Sequence, residues 1–376
     1  MYFGEGSINK LKEIIEKERC ENIFLIRSKK SYKNFKKKIE NLIKCNFVSY
    51  CDFETSLSID DVKRGLNLFQ KRNFDLIIAV GGGSVIDMAK LIGIFSANSG
   101  QIYDYLSNEL VFKKKSCRVV AVPTTAGSGS EVTHFAVLYD GSTKYSISHQ
   151  DFILPRYAVV DPLLTHTMPT YLTAVCGMDA LCQAIESYWS VTSSEESKNL
   201  SIEAIRLIFS NLEKSVSSPS NESRSNMSKA SHLAGKAINL TKTTAPHAVS
   251  YPLTKIFNIP HGHAVALTIG RFYEFNYDVH SDNLNDKRGD KFIVDEIDKL
   301  NKVMGVSCVM DANKKIKYLM KNIGLETSLY KLGIKSEEDV NIIVKNINPE
   351  RIDNNPKKVN KKDVKNILMS MIRNPC

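Results

Sequence analysis

The stretch FDLIIAVGGGSVIDMAKLIGIFSA, residues 74–97, combines an apolar run, three glycines and a second apolar run. The run at 74–82 is short and continuous, which is typical of a strand buried on both faces. Residues 84–97 follow as a helix. Glycines 81–83 let the backbone approach a ligand closely, and the helix N-terminus after them offers N–H groups to a phosphate. The segment therefore predicts a strand, a turn suited to pyrophosphate, and a helix.

The residues around this segment repeat the same alternation. Strands are predicted at 21–28, 46–53, 74–82 and 118–127, and helices at 36–44, 59–73 and 84–97. Strands that alternate with helices form a parallel sheet covered by helices. We expect residues 1–161 to be a dinucleotide-binding α/β domain.

From Pro162 onward the pattern changes, because helical periodicity dominates and strand signals nearly vanish. Helices are predicted at 172–190, 199–216 and 228–240. We expect residues 162–376 to be an all-helical domain carrying a metal and the substrate. The fold class is then α/β in the N-terminal half and all-α in the C-terminal half.

Composition excludes several classes of protein. No apolar run approaches the ~20 residues that span a bilayer, and the N-terminus has no signal-peptide pattern, so we expect a cytoplasmic protein. The eight cysteines form no C-x-x-C pair. The net charge of +10 comes from lysine runs without interleaved aromatic residues, which favours solvated lysines over nucleic-acid binding. The positive excess suits anionic small molecules.

Two turns carry the candidate cofactor residues. In the first, Ser84 is predicted to cap the helix, and Asp87 lies in its first turn. The second turn, PTTAGSGSE, ends the next strand, and two such turns at the carboxyl edge of neighbouring strands form a ligand site in α/β sheets. Either turn alone is also compatible with a plain connection. The candidates from both turns are Gly82, Gly83, Ser84, Asp87, Thr124, Thr125 and Ser128.

Four residues form a candidate metal site. Asp179 and Gln183 are four residues apart and share a helix face. Pro246 is expected to start a helix before His247, and His261 follows Pro260. We expect Pro252 and Pro260 to place the two histidines on separate helical segments. Each residue is also compatible with a purely structural role, as a helix cap or a loop residue. His263 is an alternative ligand to His261.

Together these segments resemble the iron-containing (group III) alcohol dehydrogenase family. The resemblance rests on GGGSVIDMAK, PTTAGSGSEVT, DPLLTHTMPTYLTAVCGMDALCQAIESYWS and HAVSYPLTKIFNIPHGHAVAL. It implies a dinucleotide-binding domain, a helical domain, an active site in the cleft between them, and commonly a homodimer. It also implies Fe²⁺ or Zn²⁺ bound at Asp179, Gln183, His247 and His261. The family has a histidine at position 183, and an amide oxygen is a weaker ligand.

The cofactor side of the pattern differs from many relatives. Ser28 stands where NAD-preferring members have an aspartate on the adenosine ribose, and Lys29 and Lys30 follow it. Loss of a carboxylate beside added cations favours a 2′-phosphate, so within NAD(P)H the pattern favours NADPH. Lys144 resembles the family lysine that contacts the cofactor. Tyr251 replaces a histidine near the nicotinamide, where it serves as a proton relay or forms a wall.

Within the family, the chain resembles the phosphonoacetaldehyde reductase branch most. That resemblance implies reduction of phosphonoacetaldehyde to 2-hydroxyethylphosphonate, with Lys242 as a cation for the phosphonate; a solvent-exposed Lys242 is the alternative. Three other functions remain open. They are a general alcohol dehydrogenase acting on another small aldehyde, a metal-dependent cyclase similar to dehydroquinate synthase, and a binding module that lost its metal through Gln183.

Overall fold

The computed structural model describes residues 1–141, 143–347 and 351–373. The chain forms two compact units, Met1–Met168 and Pro169–Cys376. The first unit extends past the expected boundary at Asp161. The Asp161 carboxylate accepts hydrogen bonds from the N–H groups of Ile8 and Leu163, both at 3.2 Å. These bonds hold the short 3₁₀ helix Pro162–Thr165 on the first unit.

A parallel sheet of six strands forms the first unit, in the order β1-β8-β5-β4-β2-β3. The same unit contains an antiparallel hairpin, β6-β7, which forms a separate two-stranded sheet. The strands are β1 Tyr2–Phe3, β2 Asn22–Arg27, β3 Asn46–Tyr50, β4 Leu76–Gly81, β5 Val119–Pro123, β6 Phe135–Asp140, β7 Thr143–Ser148 and β8 Tyr157–Val160. The predicted strands at 21–28, 46–53, 74–82 and 118–127 correspond to β2 to β5. Strands β1, β6, β7 and β8 were not predicted from the sequence.

The core of this unit lies on both faces of the sheet. Along β4, Ile77 and Ala79 pack into one apolar cluster, and Leu76, Ile78 and Val80 pack into the other. A strand covered on both sides has no solvent-facing positions, which explains its unbroken apolar sequence. The helices that cover the sheet are α1 Lys10–Lys17, α2 Lys36–Leu42, α3 Ile59–Phe69, α4 Gly83–Ala97 and α5 Ile102–Leu106.

The second unit is helical, and its described residues form no strand. Its helices are α6 Thr170–Trp189, α7 Glu195–Ser217, α8 Asn221–Thr241, α9 Ala245–Phe257, α10 His261–Tyr277, α11 Asp290–Met304, α12 Val309–Asn322, α13 Glu337–Lys345 and α14 Lys361–Arg373. Helix α6 is the centre of the unit, since it packs against α7, α8 and α10. The predicted fold class, a parallel-sheet domain followed by a helical domain, is confirmed. Throughout the described ranges, every helix is too short or too polar to cross a bilayer.

Candidate functional site

One face of α6, a largely apolar and buried helix, carries two carboxylates and an amide. Asp179, Gln183 and Glu186 follow one another at intervals of four and three residues, so they lie on the same side of the helix. Their exposed fractions are 8%, 4% and 0%. Buried polar groups need partners, so this face is where α6 meets polar groups of neighbouring segments.

Glu186 binds the start of α9. One carboxylate oxygen accepts hydrogen bonds from the backbone N–H and the hydroxyl of Thr244, at 2.9 and 3.0 Å, and from the backbone N–H of His247 at 3.3 Å. The other oxygen contacts His247 Nδ1. As predicted, Pro246 lies in the first turn of the helix. With its Nδ1 proton directed to Glu186, the imidazole presents Nε2 as the atom that a metal ion would take.

The second histidine begins the next helix. Pro260 precedes α10, and His261 is its first residue. The Ser250 hydroxyl donates to the His247 carbonyl at 2.7 Å, so its oxygen accepts from His261 Nδ1, 3.3 Å away. His261 therefore also presents Nε2. The two histidines lie on separate helices as expected, but Pro252 does not break the chain; it lies inside α9.

The two Nε2 atoms converge on Asp179. His247 Nε2 is 3.5 Å from Asp179 Oδ1, and His261 Nε2 is 3.9 Å from the same oxygen. Around a tetrahedral ion with bonds of 2.0–2.2 Å, ligand atoms lie roughly 3.3–3.6 Å apart. The His247 separation lies in this range and the His261 separation slightly above it, and the three ligand atoms all lie within 4.8 Å of one another. One carboxylate oxygen and two imidazole nitrogens are a ligand set that suits Fe²⁺ or Zn²⁺.

A glycine makes this approach possible. At Gly262, next to His261, an added Cβ would lie 2.8 Å from Asp179 Cβ and would collide with the carbonyl of Val175. Only a residue without a side chain lets the first turn of α10 come this close to α6. The glycine of the PHG segment therefore brings His261 to the other ligands.

The local charge balance favours a cation. Burial alone lowers the pKa of His247, but the carboxylates of Glu186 and Asp179 outweigh burial and raise that pKa to about 10. Two carboxylates around one imidazole form an electronegative pocket. A divalent ion therefore displaces a proton when it takes Nε2.

The other candidates near this centre occupy different places. Gln183 is buried one turn after Asp179 on the same helix face; its role as a ligand stays a prediction. Tyr251 is half-buried, and its ring stacks on that of His261 with centroids 6.0 Å apart. His263 is turned elsewhere, since its Nε2 donates to the Glu326 carbonyl at 2.6 Å. His263 is therefore a packing residue and not a rival ligand.

In the first unit, the glycine turn and the second turn lie side by side. The N–H of Ser28 donates to the Val80 carbonyl, and that of Thr124 donates to the Gly81 carbonyl. A Cβ at Gly82 would be 3.4 Å from the Thr125 side chain, and one at Gly83 would be 2.7 Å from Ser128 Oγ. Six of the predicted cofactor residues thus meet at the carboxyl edge of the sheet: Ser28, Gly82, Gly83, Thr124, Thr125 and Ser128.

Helix α4 begins one residue earlier than predicted. Gly82, not Ser84, is the N-cap, and no side chain caps the helix. The reason is that extended backbone at Gly82 already closes the first turn, so Ser84 lies inside it. The first N–H groups of a helix have no intrahelical partner, so this end of α4 remains suited to a phosphate.

Asp87 and a buried lysine brace the second turn. Asp87 accepts from Ser130 Oγ at 2.6 Å and from the N–H of Val137 at 3.1 Å. Lys90, fully buried, donates to Ser130 Oγ at 2.9 Å and to Thr133 Oγ1 at 3.1 Å. Asp87 thus has a structural role in the described contacts, and its contact with a cofactor stays a prediction.

Ser28 and Lys144 are the two predicted cofactor residues outside the two turns, and charged residues lie near both. Ser28 Oγ accepts from the N–H groups of Lys30 and Ser31, at 3.2 and 3.1 Å. Lys29 is paired with Asp52 and Glu54, each at 3.4 Å. Lys144, on β7, is close enough to Asp87 for its charge to act on that carboxyl, whose pKa burial raises. These pairings reduce the free positive charge available to a 2′-phosphate.

Two residues of the site were missed by the sequence analysis. Glu186 could have been found, because it continues the Asp179–Gln183 face by one turn within an apolar helix. Lys90 could have been found as a lysine within the apolar helix IDMAKLIGIF. In both cases the signal was a charge where periodicity predicts burial.

Comparison with known families agrees with this geometry. The model of the family described as "Iron-containing alcohol dehydrogenase" matches residues 1–162. A second model, "Fe-containing alcohol dehydrogenase family, C-terminal", matches residues 173–372.

The chain belongs to the iron-containing alcohol dehydrogenase family.

Individual relatives span different shares of the chain. The 1,3-propanediol dehydrogenase of Citrobacter freundii is 34% identical over 82% of this chain and 79% of that protein. The long-chain-alcohol dehydrogenase 1 of Geobacillus thermodenitrificans is 38% identical over 58% of this chain and 56% of its own length. Among solved structures, sulfoacetaldehyde reductase from Bifidobacterium kashiwanohense in complex with NAD⁺ matches with a TM-score of 0.88. It is 29% identical and covers 99% of this chain and 96% of that one.

Membership in the iron-containing alcohol dehydrogenase family decides the general class. The protein is an oxidoreductase of a family that acts on alcohols and aldehydes with NAD(P) and a metal. This class excludes the alternative function of a metal-dependent cyclase similar to dehydroquinate synthase. The triad of Asp179, His247 and His261 provides a candidate metal site in the second unit.

Proposed function

We propose that this iron-containing alcohol dehydrogenase reduces a small anionic aldehyde to a primary alcohol. The specific substrate proposed is phosphonoacetaldehyde, and the product is 2-hydroxyethylphosphonate. The observation that carries the redox assignment is the convergence of His247 Nε2 and His261 Nε2 on the Asp179 carboxylate. The overall reaction consumes one aldehyde, one NAD(P)H and one proton.

The anionic substrate is supported by one neighbour and by charge. Sulfoacetaldehyde, the substrate in the name of a solved relative, carries a sulfonate where phosphonoacetaldehyde carries a phosphonate. Both groups are tetrahedral oxyanions on a two-carbon aldehyde. The formal net charge of +10 favours such ligands.

The chain's own residues have defined tasks in this reaction. Asp179, His247 and His261 would hold the divalent ion, with Gln183 as the proposed fourth ligand, and that ion would supply Lewis acidity for the carbonyl. Glu186 and Ser250 hold the Nδ1 side of the two imidazoles, so that both Nε2 atoms face Asp179, where the ion would take the place of a proton. Tyr251, stacked on His261, is proposed to deliver the proton that the alcohol oxygen needs.

The dinucleotide is proposed to bind the first unit. The first turn of α4, at Gly82, Gly83 and Ser84, takes the pyrophosphate, and Thr124, Thr125 and Ser128 line it from the neighbouring turn. We propose NADPH as the preferred form, because Ser28 replaces a carboxylate and Lys30 is exposed beside it. We further propose a homodimer in the cytoplasm; light scattering of the purified protein tests the dimer.

A substrate panel tests the proposal. The protein, loaded with Fe²⁺ or Zn²⁺, is assayed with NADH and NADPH on phosphonoacetaldehyde, sulfoacetaldehyde, 3-hydroxypropanal and propanal. We expect kcat/KM to be highest for phosphonoacetaldehyde, and an Asp179→Asn variant to lose turnover while an exposed control, His280→Ala, retains it. Equal and weak rates on all four aldehydes would overturn the phosphonate assignment.

A neutral aldehyde is the second candidate. It is favoured by the 34% identity to 1,3-propanediol dehydrogenase over 82% of the chain. The same panel separates the two, because 3-hydroxypropanal would then exceed both anionic aldehydes.

A further inference from the structure

Lys242 has a backbone conformation that lysine rarely adopts. It follows the last residue of α8, with φ of 61° and ψ of 178°. This region is essentially restricted to glycine, because a Cβ crowds the backbone there. A lysine persists in it only where the surroundings impose the conformation.

The surroundings here are a set of side chains that we name the Asn354 clamp: Asn354, Ser190 and Thr192. The Asn354 amide donates to the carbonyls of Thr241 and Thr243, at 2.7 and 3.0 Å. These carbonyls belong to the residues on either side of Lys242. Because both peptide groups are held by one amide, Lys242 cannot relax without breaking these bonds.

The other members of the clamp fix Asn354 itself. Ser190 Oγ donates to Asn354 Oδ1 at 2.8 Å, and the N–H of Val191 donates to the Asn354 carbonyl at 3.2 Å. Thr192 Oγ1 donates to the Thr241 carbonyl at 2.9 Å. Ser190, Val191 and Thr192 directly follow α6, so the clamp ties Lys242 to the helix that carries Asp179.

The same short segment is anchored to the metal centre at its other end. Thr244, two residues after Lys242, binds Glu186 through its N–H and hydroxyl. Trp189 Nε1 also donates to the Thr244 hydroxyl at 3.0 Å. Two residues span at most about 7 Å, so the Lys242 backbone lies within that distance of Thr244, which binds the same carboxylate as His247. The Lys242 side chain itself is exposed.

We infer that the Asn354 clamp positions Lys242 as the specificity-determining cation for the phosphonate or sulfonate group of the substrate. The inference rests on the proposed function. Its physical basis is that glycine at this position would give a more stable fold, so lysine has no structural advantage there. An ammonium group, in contrast, is a suitable point charge for a tetrahedral oxyanion. Asn354 is a positioning residue, since it acts through Lys242.

The test compares four variants on an anionic and a neutral aldehyde. Lys242→Met keeps the side-chain length and the strain but removes the charge, Lys242→Gly removes both, and Lys242→Arg restores a cation. The matched control is Lys229→Met, which removes an exposed lysine on α8 that pairs with Glu203.

The expected kinetic result separates charge from structure. In Lys242→Met, kcat/KM for phosphonoacetaldehyde and sulfoacetaldehyde falls by about 10- to 100-fold, the usual range for one charged hydrogen bond. The ratio of kcat/KM for phosphonoacetaldehyde to kcat/KM for propanal also falls, because propanal has no oxyanion for Lys242 to bind. Lys242→Arg recovers part of the loss for the anionic substrates, and Lys229→Met changes neither value.

A thermal measurement tests the clamp independently of activity. We expect Lys242→Gly to melt at a higher temperature than Lys242→Met, because only glycine relieves the strain. Asn354→Ala should lower the melting temperature and raise KM for the anionic aldehydes. When Asn354→Ala is combined with each variant at position 242, Lys242→Gly should no longer melt at a higher temperature than Lys242→Met.

The outcomes distinguish the two levels of proposal. If the wild type does not prefer anionic aldehydes over propanal, the proposed function and this inference both fail. If the wild type has that preference and Lys242→Met keeps it, only this inference is overturned. If the advantage of glycine at 242 persists without Asn354, the clamp is overturned as the positioning device.

Discussion

Replacing Glu186 by glutamine tests the geometry of the metal centre most directly. One oxygen of Glu186 accepts from the N–H and hydroxyl of Thr244 and from the N–H of His247, while the other faces His247 Nδ1. A glutamine of the same shape has only one acceptor oxygen. If that oxygen takes the first position, the new NH₂ group faces Nδ1, and the imidazole must move its proton to Nε2.

That proton would block metal binding, because Nε2 is the atom that lies 3.5 Å from Asp179. In the opposite orientation, the NH₂ group would face the N–H and hydroxyl of Thr244 and the N–H of His247. These three donors would then lose their acceptor, which costs more free energy than the first orientation. Loss of a carboxylate behind a ligating histidine typically weakens metal affinity 10- to 100-fold, or about 1.4–2.7 kcal/mol. Since Glu186 is fully buried, we expect the upper end, about 100-fold.

The assay is competitive titration of chelator-treated protein with Zn²⁺ against a fluorescent indicator, at constant pH. The matched control is Glu296→Gln, a buried glutamate of the same unit that pairs with Lys198 at 2.8 Å; it should alter stability but not the Kd for zinc. If folded Glu186→Gln binds zinc within about threefold of the wild type, the tautomer argument is refuted.

Three further predictions follow from other contacts. Gly262→Ala forces α10 away from α6, so we expect a loss of about 1–3 kcal/mol in stability and weaker zinc binding through His261; unchanged values in calorimetry and titration would contradict the close approach. Burial lowers the pKa of Lys90 from 10.5 to about 8. The unfolded chain then binds more protons between these values, so wild-type stability should rise relative to Lys90→Met by about 3 kcal/mol as pH increases from 8 to 10.5, as denaturant titrations at several pH values would detect; parallel curves would refute it. Glu54→Gln removes one of the two carboxylates that pair with Lys29, so NADPH should bind more tightly relative to NADH. The expected change in the ratio of the two Kd values is at most about fivefold, the limit for an exposed ion pair. Nucleotide fluorescence measures both Kd values, and a change that favours NADH would contradict the prediction.

Local patterns in the sequence were sufficient for much of the fold. The apolar run at 76–80, the glycines and the following helix are short-range features, so strand β4, the turn and α4 could be predicted within a residue or two. Pro246 likewise predicted the start of the helix that carries His247, and Pro260 predicted that His261 lies on a separate helical segment. The errors were local as well: Ser84 does not cap α4, and Pro252 is accommodated inside α9.

What the sequence by itself determined is the alternation of strands and helices, the two turns at the sheet edge, and the residue types that suit a metal, because each depends on neighbours a few positions away. Only the tertiary structure decided which groups meet. Glu186 and His247 are 61 residues apart, and Thr241 and Asn354 are 113 residues apart. The packing of helices around α6 brings such partners together, and burial there makes every unpaired polar group costly in free energy. No local pattern encodes that choice, so the carboxylate behind His247 and the amide that holds Lys242 in place emerge only when the chain is folded.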